Sequence, residues 1–189
     1  MKTDTLDRAP AEAGAGAATP KPVSEPAHNS DELCLSSALV WRALARASFA
    51  VISYVTPAGE PRSSGVVYKT VGRRLCTVVA PDGWKARQIT SGAPVAVTVP
   101  IPRGGILALL FPIPPATISF HARAVVHPAG SATAGTLAKA LGSLLPPERR
   151  GAGCVIELRP EGSFLTYGVG VSLAQMRSPA TALAHTPVA

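Results

Sequence analysis

The sequence predicts a mainly β protein, a closed or nearly closed β-barrel with short helices. Three observations favour this class: short β-branched runs separated by hairpin-length loops, 19 prolines and 17 glycines that supply turns, and brief helical stretches near the ends of the strands. Six or seven mostly antiparallel strands of this kind suit a barrel, because closure removes the exposed edges of a sheet.

The first part of the predicted domain is expected to form a helix followed by a three-stranded antiparallel meander. Residues 36–47 place apolar side chains on one helical face, after two serines that can cap the start of the helix. β-Branched runs follow, with the sequence PAGE as a turn between the first two. These strands are expected over residues 48–56, 61–70 and 74–80.

The second part predicts two strands, a helix and a final hairpin. Pro146 and Pro147 would end the helix, since proline cannot continue a helical hydrogen-bond ladder. Glu161 and Gly162 would form the turn of the hairpin. The elements are expected over residues 94–101, 116–128, 131–145, 154–160 and 163–169.

Composition divides the chain of 189 residues into a tail, one folded domain and a short end segment. Residues 1–32 are rich in Ala, Pro, Gly and acids, and cannot bury enough apolar surface to offset the entropy of ordering, so we expect disorder there. They contain no apolar region of a signal peptide. We expect the barrel over residues 33–175 and a peripheral segment over 176–189.

Charge is distributed unevenly along the sequence. Residues 1–32 have net charge −3, whereas residues 33–189 hold fifteen Lys and Arg but five Asp and Glu, a net charge of +10. This excess implies an anionic partner, such as a phosphate-bearing cofactor, nucleic acid or acidic lipid. The few, scattered carboxylates argue against a paired-carboxylate hydrolase or an oxygen-ligand metal site.

The cysteines and the most apolar segment indicate the cellular compartment and whether the chain spans a membrane. Cys34, Cys76 and Cys154 are odd in number and form no C-x-x-C pair, which indicates reduced core thiols in a cytoplasmic protein. Residues 106–120 are too short and too rich in proline for a membrane-spanning helix. A contact of this segment with a membrane surface or a partner stays open, because exposed apolar patches mark interfaces.

A short basic insert separates the third and fourth predicted strands. Its helix would begin near Asp82 or Gly83 and carries Lys85 in the first turn, with Arg87 two residues later. Lysine opposes the helix dipole at this end, whereas a bound anion would favour it there. The alternative interpretation is a solvated lysine on a surface helix.

The order of features over residues 48–128 resembles the pyridoxamine 5′-phosphate oxidase-like family, the FMN-binding split β-barrels. The matching motifs are the turn TPAGEP, the arginine-led strand PRSSGVVY, the helix GWKARQI and the strand GAPVAVTV. The resemblance implies a split-barrel fold, an FMN site and a homodimer whose two subunits line that site. A dimer would also bury the apolar segment over residues 104–118.

The same resemblance implies roles for particular residues. Arg62 and Lys85 match positions that contact the flavin phosphate, and Trp84 could stack on a ring. The backbone of the second strand corresponds to the strand that lies beside the isoalloxazine ring, over Ser63, Ser64, Gly65, Val66 and Val67. Val78 and Val79 match the segment that borders the ring and ribityl chain, and Gln88 fits the helix consensus.

Several positions depart from the pattern of the true oxidases. The family places a lysine where Val67 stands, a serine and an arginine where Gly83 and Trp84 stand, and a threonine where Val79 stands. Because each charged hydrogen bond to phosphate contributes about 1.5–3 kcal/mol, these losses weaken an FMN phosphate site and favour a deazaflavin coenzyme as the alternative. Oxidation of pyridoxamine phosphate is not expected.

Three functional hypotheses follow from these observations. The first is an FMN- or deazaflavin-dependent oxidoreductase that acts on a small molecule. The second is a protein of the same fold that binds flavin or haem without turnover. The third, binding of nucleic acid or a membrane surface, is disfavoured because aromatic residues are few, 5% of the chain, and do not alternate with the basic ones.

Overall fold

The computed structural model describes residues 35–89, 91–105, 113–142 and 153–189. The predicted tail over residues 1–32 and residues 106–112 of the apolar segment lie outside these ranges. The α-helices are Ser37–Arg46 (α1), Trp84–Gln88 (α2), Ala132–Ala140 (α3) and Pro179–Ala182 (α4), and a 3₁₀-helix covers Gln175–Arg177. The strands are Phe49–Val55 (β1), Pro61–Val67 (β2), Lys69–Thr70 (β3), Leu75–Val79 (β4), Pro94–Ile101 (β5), Ala116–His127 (β6), Cys154–Tyr167 (β7) and Leu183–Pro187 (β8).

All eight strands belong to one antiparallel sheet. Its order is β2-β1-β5-β6-β7-β4-β3, and β8 adds to β7. Strands β2 and β3 are separated by one residue in the chain but lie at opposite ends of this order, so the sheet must curl until its two edges approach each other. The mainly β, barrel-like prediction with short helices is confirmed.

The predicted strand over residues 61–70 is wrong in one respect, because it breaks at Tyr68. Residues before the break pair with β1, and residues after it pair with β4. The Tyr68 amide donates to the Ser48 carbonyl at 2.8 Å, and its hydroxyl donates to the Leu44 carbonyl at 2.7 Å. Tyr68 is fully buried, and burial raises its pKa. This side chain therefore fixes the point at which the chain passes between the edges of the barrel.

The predicted C-terminal hairpin is also wrong, because residues 154–167 form one continuous strand. Both halves of β7 pair with β6, and the register shifts between Phe120 and His121, which face Phe164 and Glu161. Gly162 adopts a positive φ of 72° at this point. Gly162 and Ser163, which have no partner on β6, therefore form a bulge that bends the strand without reversing it.

The C-terminal segment is part of the sheet, although the sequence predicted a peripheral segment over 176–189. Residues 183–187 form β8, which pairs with β7 along its whole length. Ala184 and Thr186 are buried, and the indole nitrogen of Trp41 donates to the Val188 carbonyl at 3.3 Å. The chain end thus covers an edge that β7 would otherwise expose.

The barrel interior is filled by the inward-facing side chains of the strands and by one face of α1. Ser36 caps α1 by accepting a hydrogen bond from the Leu39 amide, as the sequence predicts. The Trp41 ring meets the Phe164 ring edge-on at a centroid distance of 5.4 Å, and Phe120 does so from the other side at 5.3 Å. Such aromatic contacts anchor the helix over one end of the barrel.

A second, smaller core lies outside the barrel, between the sheet and α3. It contains Cys76, Val155, Ala134, Leu137 and Leu141, with Val78 packed against it. The Cys76 thiol is buried, and this burial, with the nearby Glu157 carboxylate, raises its pKa to about 11. Cys76 and Cys154 are both free thiols. In the described ranges, no helix is long and apolar enough to cross a membrane.

A buried carboxylate lies beside this second core. The Glu157 side chain is 1% exposed and accepts hydrogen bonds from Arg74 at 3.1 Å, Arg159 at 2.7 Å and His127 at 2.9 Å. Burial alone would raise the Glu157 pKa, but these hydrogen bonds and charges hold it below its ordinary value. The ionised carboxylate is therefore part of the folded structure.

Glu157→Gln should lower the free energy of unfolding at pH 7 by about 1–3 kcal/mol, because two guanidinium groups lose an ionised acceptor. A lowered folded-state pKa gives a contribution that is present at neutral pH and is lost as pH falls through that pKa. The difference between wild type and variant should therefore shrink below about pH 4. Urea titrations across pH measure this difference.

Glu161→Gln is the matched control, since the Glu161–Arg123 pair is about half exposed at both ends. It should cost less than about 1 kcal/mol. Equal losses in the two variants, or a loss in Glu157→Gln that does not change with pH, would contradict this account.

Candidate functional site

Lys85 connects α2 to β2, the end strand of the sheet, which forms the open edge of the barrel. Helix α2 has five residues, begins after Gly83 as the sequence predicts, and leaves Lys85 and Trp84 in its first turn. The Lys85 Nζ donates to the Gly65 carbonyl at 2.8 Å and lies 5.7 Å from the centre of the Trp84 ring. Partial burial lowers the Lys85 pKa. Since an ammonium has three donors, the group can hold Gly65 and still bind an anion.

The edge of β2 beside Lys85 carries backbone groups that do not pair with β1. In an antiparallel ladder, alternate residues direct both N–H and C=O away from the partner strand. Because the Gly65 carbonyl binds Lys85, the backbone groups of Ser63, Gly65 and Val67 face the gap between β2 and β4. This edge can therefore offer hydrogen-bond donors and acceptors to a flat ligand.

Tyr54, which the sequence does not single out, joins this edge to α2. Its hydroxyl donates to the Gln88 Oε1 at 3.4 Å, and its ring lies 6.4 Å from the Trp84 ring. Burial raises the Tyr54 pKa, and the charge of Arg62 opposes that rise. The alternation of β1 places Tyr54 on the buried face with Ile52, but the contact with α2 depends on the closed barrel.

Arg62 lies on β2 opposite Tyr54, but it does not contact Lys85. Its guanidinium donates to the Glu60 carboxylate at 3.0 Å, and both side chains are more than half exposed. Three residues of strand separate Arg62 from Gly65, about 10 Å along the backbone. The two predicted phosphate ligands therefore lie at separate points of one edge.

An open groove of about 380 Å³ runs past Arg62 on the outer side of the sheet. Its lining also includes Tyr54, Ser63 and His121. The hydroxyls of Ser63 and Ser53 are 2.7 Å apart on the groove side. None of the α2 side chains lines this groove, so the structure divides the predicted site into a groove and a junction between α2 and β2, joined by Tyr54.

The remaining predicted residues divide between the two faces of the strands. Ser64 and Val66 are buried on the inner face of β2, whereas the Val67 side chain is 53% exposed on the outer face. On β4, Val79 belongs to the barrel core and Val78 packs against the core under α3. A ligand at the open edge therefore cannot contact all of these side chains from one side.

A larger cavity, about 500 Å³, lies away from the predicted residues. It is lined by the end of α1, the end of β5 and residues near Pro115, with Arg46, Phe49 and Arg103 in its wall. Arg103 donates to the Gly168 carbonyl at 2.9 Å and also to the Val171 carbonyl and the Met176 sulfur. Its guanidinium thus holds the segment before α4. Tyr167 has a similar structural role through its bond to the Met176 carbonyl at 2.6 Å.

Lys85→Met should loosen α2 while keeping the length of the side chain. The hydrogen bond to the Gly65 carbonyl is lost, so amide exchange at Arg87 and Ile89, which close the helix, should accelerate about tenfold. Hydrogen exchange with residue resolution measures this. Arg87→Met is the control, since Arg87 is exposed. Equal exchange in the Lys85 variant and wild type would show that the contact does not hold the helix.

No protein-family profile matches this sequence, and no curated protein matches it either. Solved structures do match. The heme storage protein HutZ from Vibrio cholerae is 14% identical with a TM-score of 0.56, over 69% of this chain and 94% of that one. A heme binding protein from Mycobacterium smegmatis is 16% identical with a TM-score of 0.55, over 82% of this chain and 60% of that one.

A conserved hypothetical protein from Mycobacterium tuberculosis is 10% identical, with a TM-score of 0.53 over 70% of this chain and 84% of that one. At such identities the likeness is one of fold. The chain therefore has the split β-barrel fold of the pyridoxamine 5′-phosphate oxidase-like proteins.

Proposed function

We propose that the chain binds a flavin-type coenzyme, FMN or a deazaflavin, at the open edge of β2. The observation that carries this proposal is the hydrogen bond between the Lys85 Nζ and the Gly65 carbonyl, 2.8 Å long. It puts a cation, an exposed aromatic ring and unpaired backbone groups within one small region. An anionic, planar, hydrogen-bonding ligand matches all three features.

The residues present fit the two parts of such a coenzyme. Lys85 supplies charge for a phosphate, and its ammonium retains donors beyond the one that binds Gly65. The Trp84 side chain is 44% exposed and supported from behind by Tyr54, so its ring is available for stacking. The backbone of Ser63, Gly65 and Val67 can pair with polar atoms at the edge of an isoalloxazine ring.

Arg62 would serve as a second cation for the same ligand or for its substrate. Its partner Glu60 is exposed, and exposed ion pairs contribute little stability, so an incoming anion can displace that carboxylate. The groove beside Arg62 leaves room for a small molecule next to the coenzyme. His121 lines the other side of this groove.

A bound flavin or deazaflavin would supply electron and hydride transfer to a small molecule, which makes the chain an oxidoreductase in this proposal. The protein's own contribution is then to hold the anionic group with Lys85, to orient the ring against β2, and to present the substrate in the groove. The basic character of the folded part, net charge +10 over residues 33–189, favours an acidic substrate and coenzyme.

Haem binding without turnover is the second candidate. The observation that favours it is that two of the solved structures with this fold are a heme storage protein and a heme binding protein. Haem carries two carboxylates, which Lys85 and Arg62 could bind, and its iron needs a ligand. His121 is the side chain in the groove whose chemistry suits iron.

Lys85→Ala should weaken FMN binding at least tenfold, because a charged hydrogen bond contributes about 1.5–3 kcal/mol. Quenching of flavin fluorescence, with FMN titrated into the purified chain, measures the affinity. Lys85→Arg keeps the charge and should retain most of the affinity. Arg87→Ala, on the same short helix, should leave it unchanged.

The same titration with haemin, followed by its Soret band, separates the two candidates. Saturable FMN binding that depends on Lys85 supports the flavin proposal. Haemin binding that is lost in His121→Ala, without FMN binding, would support the second candidate instead. If neither ligand nor a deazaflavin binds, or if Lys85→Ala binds FMN as wild type does, the proposed coenzyme site is wrong.

We further propose that two copies of the chain pair through the outer face of β1 and β2. Phe49, Val55 and Val67 expose large apolar side chains on this face, at 46%, 64% and 53%. The Phe49 ring lies over Gly65, where an added Cβ would come within 2.9 Å of it. A second copy would cover these side chains and close the groove beside Arg62.

Val67→Lys should convert this dimer to a monomer, because it places a charge in the apolar interface. Light scattering coupled to size-exclusion chromatography measures the mass. Leu173→Lys is the control, since Leu173 is 45% exposed and lies in the segment between β7 and the 3₁₀-helix. A monomeric wild-type chain at micromolar concentration would overturn the dimer.

A further inference from the structure

Two arginines, one just before β4 and one on the neighbouring strand β7, converge on one atom of a buried carboxylate. The Arg74 Nη1 and the Arg159 Nε both donate to Glu157 Oε1, at 3.1 and 2.7 Å. The other carboxylate oxygen accepts a hydrogen bond from the His127 Nε2 at 2.9 Å. Two guanidinium groups that share one acceptor atom must lie side by side, and the buried carboxylate fixes their positions.

The cluster carries more positive charge than the carboxylate can balance. Arg74 and Arg159 oppose the single charge of Glu157, which leaves a surplus of one even with His127 neutral. Arg123 stands directly across from Arg159 in the ladder between β6 and β7, but its charge is balanced by Glu161, so the surplus remains one. Like charges at such positions destabilise a sheet. The surplus is therefore a feature that the fold tolerates rather than one that it requires.

The two guanidinium groups remain open to solvent although their acceptor is not. The Arg74 and Arg159 side chains are 52% and 53% exposed, against 1% for Glu157. Each donates one of its five N–H groups to the carboxylate, so most donors of both groups remain available. Arg123 differs, because its guanidinium is taken up by Glu161 and the Gly92 carbonyl.

This cluster is remote from the proposed coenzyme site. Arg74 precedes the first residue of β4, whereas α2 with Lys85 follows the last, and the strand between them spans about 17 Å. Glu157, Arg159 and His127 lie on the face of the sheet that α3 covers, next to the small outer core. An anion bound here would not compete with one at Lys85.

We propose that Arg74 and Arg159 form a second anion site, a clamp for the phosphate group of a small phosphorylated molecule. Paired guanidinium groups bind tetrahedral oxyanions through several charge-assisted hydrogen bonds at once. Glu157 is a positioning residue, since it holds both groups in place without contacting the ligand. A small ligand fits better than a nucleic-acid strand, because the two arginines converge on one point and the nearest further arginine, Arg123 across from Arg159, is already paired with Glu161.

Inorganic phosphate, titrated into the isotopically labelled full chain and followed by amide NMR shifts, tests the site. We expect saturable shifts at Arg74, Arg159 and their strand neighbours. Arg74→Gln/Arg159→Gln should weaken this binding at least tenfold. Arg42→Gln/Arg87→Gln removes the same charge from exposed positions on α1 and α2, and should leave binding within twofold of wild type. Lys85→Ala should leave the shifts in place.

The outcomes separate a built site from general attraction to a basic protein. Equal weakening in the two double variants, or shifts centred elsewhere, would overturn the proposal. Binding of duplex DNA at these residues without binding of phosphate would overturn it in favour of a nucleic-acid surface. If the double variant unfolds, the single variant Arg74→Gln is used instead, because Glu157 retains its hydrogen bonds to Arg159 and His127. Unchanged phosphate affinity in Arg74→Gln would also contradict the clamp.

Discussion

The pairing of β6 with β7 is the interaction on which the rest of this structure depends. These are the two longest strands, with 12 and 14 residues, and each carries further strands on its other side: β5 on β6, and β4 and β8 on β7. The bulge at Gly162 bends the pair and increases its twist, as bulges do. Because the sheet curls around this pair, its two ends approach at Tyr68 and leave one gap, between β2 and β4.

Both proposed sites follow from the way this sheet is arranged. At the gap, an unpaired strand edge needs partners for its backbone groups, and Lys85 supplies one of them. On the outer face of the sheet beside α3, Arg74 before β4 and Arg159 on β7 come together around one buried carboxylate. The first arrangement suits a flat coenzyme with an anionic group; the second suits a compact oxyanion. Neither uses a nucleophile or a metal ligand set, and in the described part of the chain no three such side chains gather to hold a metal.

Local patterns predicted most of the strands but not their partners. Strand β5 matches its predicted range of 94–101, and the short basic helix begins where Gly83 suggested. The break at Tyr68 could not be predicted from the local sequence. It depends on tertiary pairing, because residues 61–67 pair with β1 and residues 69–70 pair with β4. A hairpin is predicted over residues 154–169 because the dipeptide Glu161–Gly162 is typical of a tight turn. In the structure both halves pair with β6, so they form one continuous strand. The role of Tyr54 depends on α2, which lies thirty residues away in the chain.

The resemblance of short motifs to the split-barrel family predicted the fold and named Lys85, and it placed the whole backbone of residues 63–67 beside the coenzyme ring. Strand alternation directs the backbone groups of every second residue toward β1, so those of Ser63, Gly65 and Val67 alone face the gap. The most direct test of the central claim is a crystal structure of the chain grown with FMN. The account predicts the coenzyme along the free edge of β2, its phosphate within 3.2 Å of the Lys85 Nζ. FMN bound elsewhere, with Lys85 still holding the Gly65 carbonyl alone, would contradict it.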